Sequence, residues 1–142
     1  MIPELLATLS AALFTGAAVY INVVEHPARM SLGTAAALAE WRPAYRRGTL
    51  MQAPLAVIGL LAAIGAWATG AGSTWLVGGL LLGAVVPFTL VVTFPTNKQL
   101  LDPAIDQNLD HARVLLDRWN RLHAVRSLLS LTALTLFLTL LD

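Results

Sequence analysis

The chain alternates between long apolar stretches and short basic segments. The apolar stretches are residues 3–24, 50–69, 75–94 and 123–141. A helix rises about 1.5 Å per residue, so each stretch is roughly long enough to cross the hydrocarbon core of a bilayer. No charged residue lies between Gly48 and Asn97. One helix over that interval would be about 75 Å long, more than twice the core, so the chain is expected to turn back at residues 70–73.

This pattern predicts an all-α fold: a single domain, residues 1–142, forming a four-helix transmembrane bundle whose last helix extends on the cytoplasmic side. Asp102 followed by Pro103 is typical of a helix start, and no proline or glycine interrupts the chain from there to Leu141. Composition agrees, since 57% of residues are hydrophobic and 12% are charged, whereas soluble domains carry about 25% charged residues.

The basic residues predict the orientation in the membrane. All nine Lys and Arg lie within residues 29–47 and 98–126. Four spans place both segments on one side, opposite the two termini, and the positive-inside rule makes that side cytoplasmic. The protein is therefore expected in the plasma (inner) membrane with both termini outside. The expected partners are the lipid bilayer and a lipophilic small molecule. A net charge of +1 gives no reason to expect nucleic acid, and homo-oligomerisation is left open.

The first basic segment is predicted to be an amphipathic loop with a short helix over residues 35–41. That helix is expected to break at Arg42, because a residue that precedes a proline is disfavoured in helical conformation. Aromatic and basic side chains here have the composition of an interfacial belt at the lipid headgroups. The belt residues are Trp41, Tyr45, Arg46 and Arg47.

Prolines and small residues inside the apolar stretches lead to two further predictions. Pro54 and Pro87 are expected to kink or locally open their helices. The pairs Gly79-xxx-Gly83 and Gly59-xxx-Ala63 have helix-packing spacing, which predicts close packing within one bundle.

Two helical stripes change from apolar to polar where they reach the basic segments. One stripe is Ala12, Thr15, Val19, Asn22, His26 and Arg29. The other is Ala112, Leu116, Trp119, His123, Arg126 and Ser130. Spacings of three and four put each set on one helix face. Asn97 and Lys98 follow the third apolar stretch, at the same predicted depth. Ionisable residues on a bundle-facing stripe are costly in a membrane and mark candidate functional sites.

Structural explanations compete with that reading. Arg and Lys near helix ends commonly reach back to the interface, and Glu25 with Arg29 forms an ordinary i, i+4 pair. For His26 and His123, a functional role and a structural hydrogen bond are both open. The two histidines with Glu25 would resemble a two-histidine, one-carboxylate metal set. The expected cofactor is therefore either none or a non-haem iron or copper ion. Cysteine is absent, which excludes thiolate ligands.

The polar residues also carry a family resemblance. Three motifs together resemble the anthrone oxygenase family of small four-helix membrane proteins. The motifs are Asn22-Val-Val-Glu-His26-Pro27-Ala-Arg29, Pro95-Thr-Asn97-Lys98-Gln-Leu100 and Trp119-xxx-His123-xx-Arg126. The resemblance spans nearly the whole chain. It implies an oxidoreductase that acts with O2 on a lipophilic aromatic, anthrone- or quinone-like compound, as characterised members convert anthrones to anthraquinones.

Under that resemblance, roles can be matched to residues as a hypothesis. His26 or His123 is the base that removes a proton from the substrate, because imidazole titrates near neutral pH. Arg126, Lys98 and Asn97 stabilise the oxyanion that develops, and Trp119, Asn22 and Arg29 bind the substrate. Two alternatives stand beside this enzyme: a membrane protein that binds a ligand or assists transport without chemistry, and a structural protein whose polar residues only lock the helices together.

Overall fold

Four long helices form the molecule, and a computed structural model describes residues 1–141 of it; Asp142, the last residue of the predicted domain, lies outside the described residues. The helices are α1 (Ile2–Ser31), α2 (Thr34–Ala68), α3 (Ser73–Leu101) and α4 (Leu109–Leu138). Each is long and apolar enough to cross a membrane by length and composition, and residues 1–141 contain no strand. The prediction of an all-α, four-helix transmembrane bundle is confirmed, and the chain is an integral membrane protein.

The helices pack in cyclic order, with α1 and α3 each in extensive contact with α2 and α4. Tight turns make this possible. Gly33 joins α1 to α2 with a φ of 91°, and Gly70 and Gly72 join α2 to α3 with φ of 90° and 111°, values that L side chains rarely adopt. The end of the bundle with both termini and the α2–α3 turn is called the apolar end below, and the opposite end is called the basic end.

Helix α2 corrects the expectation for the first basic segment. The predicted break at Arg42 is wrong, because α2 runs without interruption from Thr34 to Ala68 with Pro43 and Pro54 inside it. Pro43 cannot donate to the carbonyl of Ala39, but Ala39 lies on an exposed face. Its unpaired carbonyl is therefore accessible to water, which lowers the cost of the proline and allows packing to hold the helix together.

Two π-helical segments interrupt α1 and α3 at matching positions. They are Ile21–Glu25 and Thr89–Thr93. Each contains a Val-Val pair and ends two residues before a proline, Pro27 in α1 and Pro95 in α3. The wider π turn changes the helical register, so that Ala18 is buried before the segment in α1 and His26 is buried after it, whereas Val19 of the predicted stripe is exposed.

The core has two parts. At the apolar end, alanines surround the stacked rings of Trp75 and Phe137, whose centroids are 5.0 Å apart. There α2 and α3 approach closely, since a Cβ on Gly79 would lie 2.5 Å from that of Ala63. The expected small-residue packing within the bundle is therefore present.

At the basic end, Trp41 and Trp119 are the largest members of a second cluster. Placing Trp41 in an interfacial belt is wrong, since its side chain is fully buried. The helix expected from Asp102 is also corrected. Asp102 accepts a hydrogen bond from the Ala104 amide and starts only a 3-10 helix, Pro103–Gln107. Helix α4 begins after Asn108, whose side chain accepts from the His111 amide.

Candidate functional site

A cavity of about 320 Å³ lies toward the basic end, between α1, α2 and α4. Its charged and polar lining residues, which define the main cavity below, are Glu25, Arg29, Tyr45, Arg47, Thr49, Gln52, His123 and Arg126. Tyr20 of α1 and Met51 of α2 also line it and are about half exposed. The cavity therefore opens on the outer surface of the bundle between α1 and α2, and its size is at the lower end of the roughly 300–1,000 Å³ of small-molecule sites.

Aromatic rings hold His123 at the wall of this cavity. The ring of Trp119 stacks on His123 with centroids 4.9 Å apart, and Trp41 meets Trp119 edge-on at 5.7 Å. Tyr45 stacks on Trp41 at 4.9 Å and borders the cavity. Since His123 and Trp119 are one turn apart on α4, their stacking fixes the orientation of the imidazole. Trp119 thus serves to hold His123 as well as to border the ligand space.

The second histidine lies outside the lining of the main cavity. His26 contacts Trp119, with ring centroids 5.7 Å apart, and is 3% exposed. Among residues 1–141, neither ring nitrogen of His26 has a hydrogen-bond partner. One ring nitrogen of His123 faces the backbone carbonyl of Ala18, and the other has no partner within the same residues. A buried polar atom without a partner destabilises a fold by about 1–3 kcal/mol. Of the two candidate bases, only His123 borders the cavity.

Arg126 lies one turn beyond His123 and also borders the cavity. Its Nη2 donates to the side-chain carbonyl of Gln52 at 3.0 Å, and the guanidinium carbon is 5.5 Å from the centre of the Phe14 ring. Its Nε has no hydrogen-bond partner within the described part of the chain. Within the same residues no carboxylate forms an ion pair with Arg126. The guanidinium is therefore a positive charge whose neighbours are an amide and an aromatic ring.

Arg29 is held differently. Its guanidinium is 4% exposed and pairs with Glu25 on the same helix and with Glu40 of α2, the Nε lying 2.6 Å from Oε2 of Glu40. It also lies 5.8 Å from the centre of the Trp119 ring. Two carboxylates around one guanidinium leave this side of the cavity with no excess positive charge. The i, i+4 pair expected from the sequence is present, but it is part of an interhelical triad.

Asn22 clamps α4 instead of lining the main cavity. Its Nδ2 donates to the Asn120 side chain at 2.7 Å and to the Asn120 carbonyl at 3.0 Å, and its Oδ1 accepts from the Ser127 hydroxyl at 2.6 Å. The bonded residues flank His123 by three and four positions. Asn22, which lies in the π-helical segment of α1, therefore fixes the turn of α4 that carries the imidazole.

The two candidates from α3 separate. Asn97 is 1% exposed and donates to the Tyr45 hydroxyl at 3.3 Å, so it touches a residue of the cavity wall without lining the cavity. Lys98 is exposed on the other face of the same turn and does not line the cavity. The structure brings Asn97 to the site and leaves Lys98 on the surface.

The candidate metal set of His26, His123 and Glu25 does not form among the described residues. Within residues 1–141, no group of three His, Asp or Glu side chains is arranged to hold a metal ion. His26, His123 and Glu25 come to the same end of the bundle, but only Glu25 and His123 line the cavity, and Glu25 is paired with Arg29.

Several site residues were not singled out from the sequence. Gln52, Glu40 and Asn120 have no pattern that marks them as partners, and Tyr45 was assigned to the headgroups. Gln52 carried the clearest signal, because it is the one amide side chain between Gly48 and Pro95. A polar side chain inside an apolar helix usually needs a partner in the bundle.

Comparisons with known proteins identify the family of the chain. Residues 41–136 match the protein-family model described as anthrone oxygenase. The relative "Anthrone oxygenase tpcL" of Aspergillus fumigatus is 32% identical to this chain over 142 residues, covering 92% of this chain and 88% of the relative. No solved structure is significantly similar to this chain. The family match includes Tyr45, His123 and Arg126 and begins after the α1 residues Asn22, His26 and Arg29.

Proposed function

The chain belongs to the anthrone oxygenase family, and on that premise we propose that it is a membrane oxidoreductase that oxidises a lipophilic, anthrone-like aromatic ketone with O2 in the main cavity. One observation carries the proposal beyond family membership. His123 and Arg126 border the cavity one turn apart, and each has at least one buried nitrogen without a hydrogen-bond partner among residues 1–141. Such atoms are available to a ligand.

The two residues suit the two requirements of the first chemical step. An anthrone has an acidic methylene group opposite its ketone, and removal of one proton gives an enolate whose charge lies largely on the former ketone oxygen. The imidazole of His123 is the base that accepts this proton. Arg126, which has no carboxylate partner among the described residues, stabilises the oxygen as it becomes negative.

The second step joins the enolate to O2 and then loses water. The nucleophilic carbon forms a bond to one oxygen atom, and the electron pair passes to the second oxygen, which takes the proton from His123 to give a hydroperoxide. Loss of the remaining proton from that carbon, with cleavage of the O–O bond, gives the quinone carbonyl and one water molecule. One anthrone and one O2 thus yield one anthraquinone and one water, and no external reductant is consumed.

The walls of the cavity fit a flat apolar ligand. Tyr45 and Trp119 supply aromatic surface, and aromatic lining with few polar groups is typical of small-molecule sites. The opening between Tyr20 and Met51 lets a lipophilic compound reach the cavity from the bilayer without crossing water. Lys98 has no part in this proposal, and Asn97 acts only through the Tyr45 hydroxyl.

The test is oxidation of an anthrone by the purified protein in lipid nanodiscs, with oxygen uptake and quinone formation measured together. The rate with empty nanodiscs is subtracted, because anthrones also oxidise slowly in air. With ¹⁸O2, each quinone formed is expected to contain one labelled oxygen and each water the other. Loss of a general base typically lowers a reaction rate by a factor of about 10²–10⁴. His123→Gln is therefore expected to lower anthrone turnover by a factor in that range.

Two matched variants serve as controls. His26→Gln changes a buried histidine that does not line the cavity, and His111→Gln changes an exposed one; both are expected to retain turnover within several-fold. Unchanged turnover in His123→Gln would sink the mechanism. Binding of the anthrone without any oxidation above the nanodisc rate would instead favour the non-enzymatic ligand-binding alternative.

A further inference from the structure

A second, smaller cavity lies on the other side of Arg126. It has a volume of about 100 Å³, roughly one third of the main cavity, and is called the side cavity here. Its lining is mainly apolar and comes from α1, α2 and α3, together with Arg126. The apolar members are Phe14, Ala53, Val85, Val86 and Leu90.

The side cavity presents almost no hydrogen-bonding group apart from Arg126. The hydroxyl of Thr89 donates to the carbonyl of Val85 at 2.7 Å and is thereby satisfied within its own helix. Thr49, at the rim, is exposed and shared with the main cavity. Water needs about two to four polar partners in a cavity, whereas apolar cavities of similar size stay dry and take up small apolar molecules such as xenon.

The location of the side cavity follows from the distortion of α3. Pro87 cannot donate a backbone hydrogen bond, and the π-helical segment Thr89–Thr93 begins two residues later. Leu90, at the start of that segment, is 65% exposed on the surface that faces lipid. The side cavity therefore opens to the bilayer between α2 and α3, whereas the main cavity opens between α1 and α2.

Arg126 separates the two cavities. Its guanidinium contacts Phe14, which lines the side cavity, and donates to Gln52, which lines the main cavity. A molecule in the side cavity is therefore one side chain away from a ligand in the main cavity. At that boundary stands a cation without a carboxylate partner among residues 1–141.

We propose that the side cavity is a dioxygen site, which delivers O2 from the hydrocarbon of the bilayer to Arg126. This proposal rests on the proposed function. Dioxygen is small and apolar, it dissolves better in hydrocarbon than in water, and it fits a volume too small for a three-ring aromatic. When O2 joins the enolate carbon, the negative charge moves to the distal oxygen, which takes its proton from His123, one turn from Arg126 on α4.

The gas site is tested first with O2 itself, without any substrate. Dissolved O2 is paramagnetic and broadens the NMR signals of the methyl groups it approaches. In nanodiscs with labelled Val and Leu methyls, the signals of Val85 are expected to broaden far more than those of Leu82. The two residues are equally buried, at 2% and 0% exposed, but only Val85 lines the side cavity. If the signals of Val85 and Leu82 broadened to the same extent, the proposal would be overturned.

A lipid chain is the main competing occupant, and a second probe separates it from O2. Lipids with a spin label on the acyl chain are expected to broaden the exposed Val91, which is 73% exposed, and to leave Val85 sharp. Broadening of Val85 to the same extent as Val91 would show that lipid fills the side cavity and would overturn the proposal.

Filling the side cavity then links it to turnover. Val86→Phe is expected to remove the O2 effect at Val85 and to raise the KM for O2 several-fold, with the anthrone affinity unchanged. Val91→Phe, the same exchange on the lipid face of the same helix, is the matched control and is expected to change neither. Should Val86→Phe fail to fold, Ala53→Leu fills the same space from α2.

The outcomes separate this proposal from the function on which it rests. An unchanged KM for O2 in a folded variant that no longer admits O2 would overturn the delivery route. Absence of any anthrone oxidation, with O2 still detected at Val85, would sink the proposed function alone and leave the gas site standing.

Discussion

At the apolar end of the bundle, small residues and one stacked aromatic pair bring the helices together, and the core is built from alanines, leucines, Trp75 and Phe137. At the basic end, the core consists of Trp41 and Trp119 with apolar neighbours, and it adjoins a cluster of buried charged and imidazole groups. The first region is packed for contact between helices. Within residues 1–141, the second keeps buried nitrogens on His26, His123 and Arg126 that have no hydrogen-bond partner.

This difference indicates that the basic end is the less stable part of the fold. Unpartnered buried polar atoms destabilise a protein, and a membrane adds the cost of carrying charge toward its interior. Both π-helical segments also lie toward the basic end or beside Arg126. Such costs are common at sites where activity requires them, and four substitutions test this comparison.

The largest effect is expected from Arg29→Met at the basic end. Glu25 and Glu40 would lose the guanidinium that they share, and removing one partner of a buried pair typically costs about 3–5 kcal/mol. Because both carboxylates are partly exposed, we expect the free energy of unfolding to fall by about 3 kcal/mol, at the lower end of that range. Unfolding in mixed micelles measures it.

Arg121→Met is the matched control, since Arg121 is exposed on α4 and surface substitutions change stability by about 0.5 kcal/mol or less. Equal effects of Arg29→Met and Arg121→Met would mean that the triad contributes nothing beyond a surface ion pair.

The next largest effect is expected from Gly79→Ala at the apolar end. The added methyl would lie 2.5 Å from the Cβ of Ala63, so α2 and α3 must separate, and overpacking of this kind costs about 1–3 kcal/mol. Stability should fall while anthrone turnover per folded molecule stays unchanged. In Gly16→Ala the new methyl contacts no atom of another helix within 4 Å among residues 1–141, so no loss is expected. A turnover defect in folded Gly79→Ala would contradict the independence of the two ends.

His26→Phe should act in the opposite direction. The exchange keeps a ring beside Trp119 and removes two buried nitrogens that have no hydrogen-bond partner in the described part of the chain, so stability is expected to rise by about 1 kcal/mol. Thermal unfolding in nanodiscs measures the change, and His111→Phe on the exposed surface should leave it nearly unaltered. A marked loss of stability in His26→Phe would show that His26 is satisfied within the fold and is structural.

The smallest effect is expected from Ser127→Ala. It removes the hydrogen bond from Ser127 to Asn22, and hydrogen bonds between membrane helices contribute about 0.6 kcal/mol on average. If the clamp positions His123, the variant should also lower kcat more than it changes the KM for anthrone. Thr132→Ala removes a hydroxyl that bonds only within its own helix and is the control. If Ser127→Ala and Thr132→Ala had identical kinetics, the hydrogen bonds from Asn22 to α4 would have only a structural role.

The sequence alone determined that the protein is a bundle of transmembrane helices. It also identified the polar residues that come together at the basic end. Four long apolar stretches leave few alternatives to four transmembrane helices, because each backbone polar group in hydrocarbon must be paired within a helix or a closed barrel. The polar stripes on α1 and α4 predicted that His26, Arg29, Trp119, His123 and Arg126 face the interior of the bundle. Four of these five residues are buried, and the fifth, Arg126, borders both cavities.

Only the tertiary structure decided which of them share a cavity. Helical spacing fixes the face of a residue on its own helix but not the register between helices, and the π-helical segment in α1 shifts that register between Ala18 and His26. Packing also overrode local preference at Pro43, where the neighbouring Trp41 is fully buried in the core at the basic end and α2 continues through the predicted break. The partners Gln52, Glu40 and Asn120 come from other helices, and no periodicity within one helix can specify a neighbour that packing brings to it.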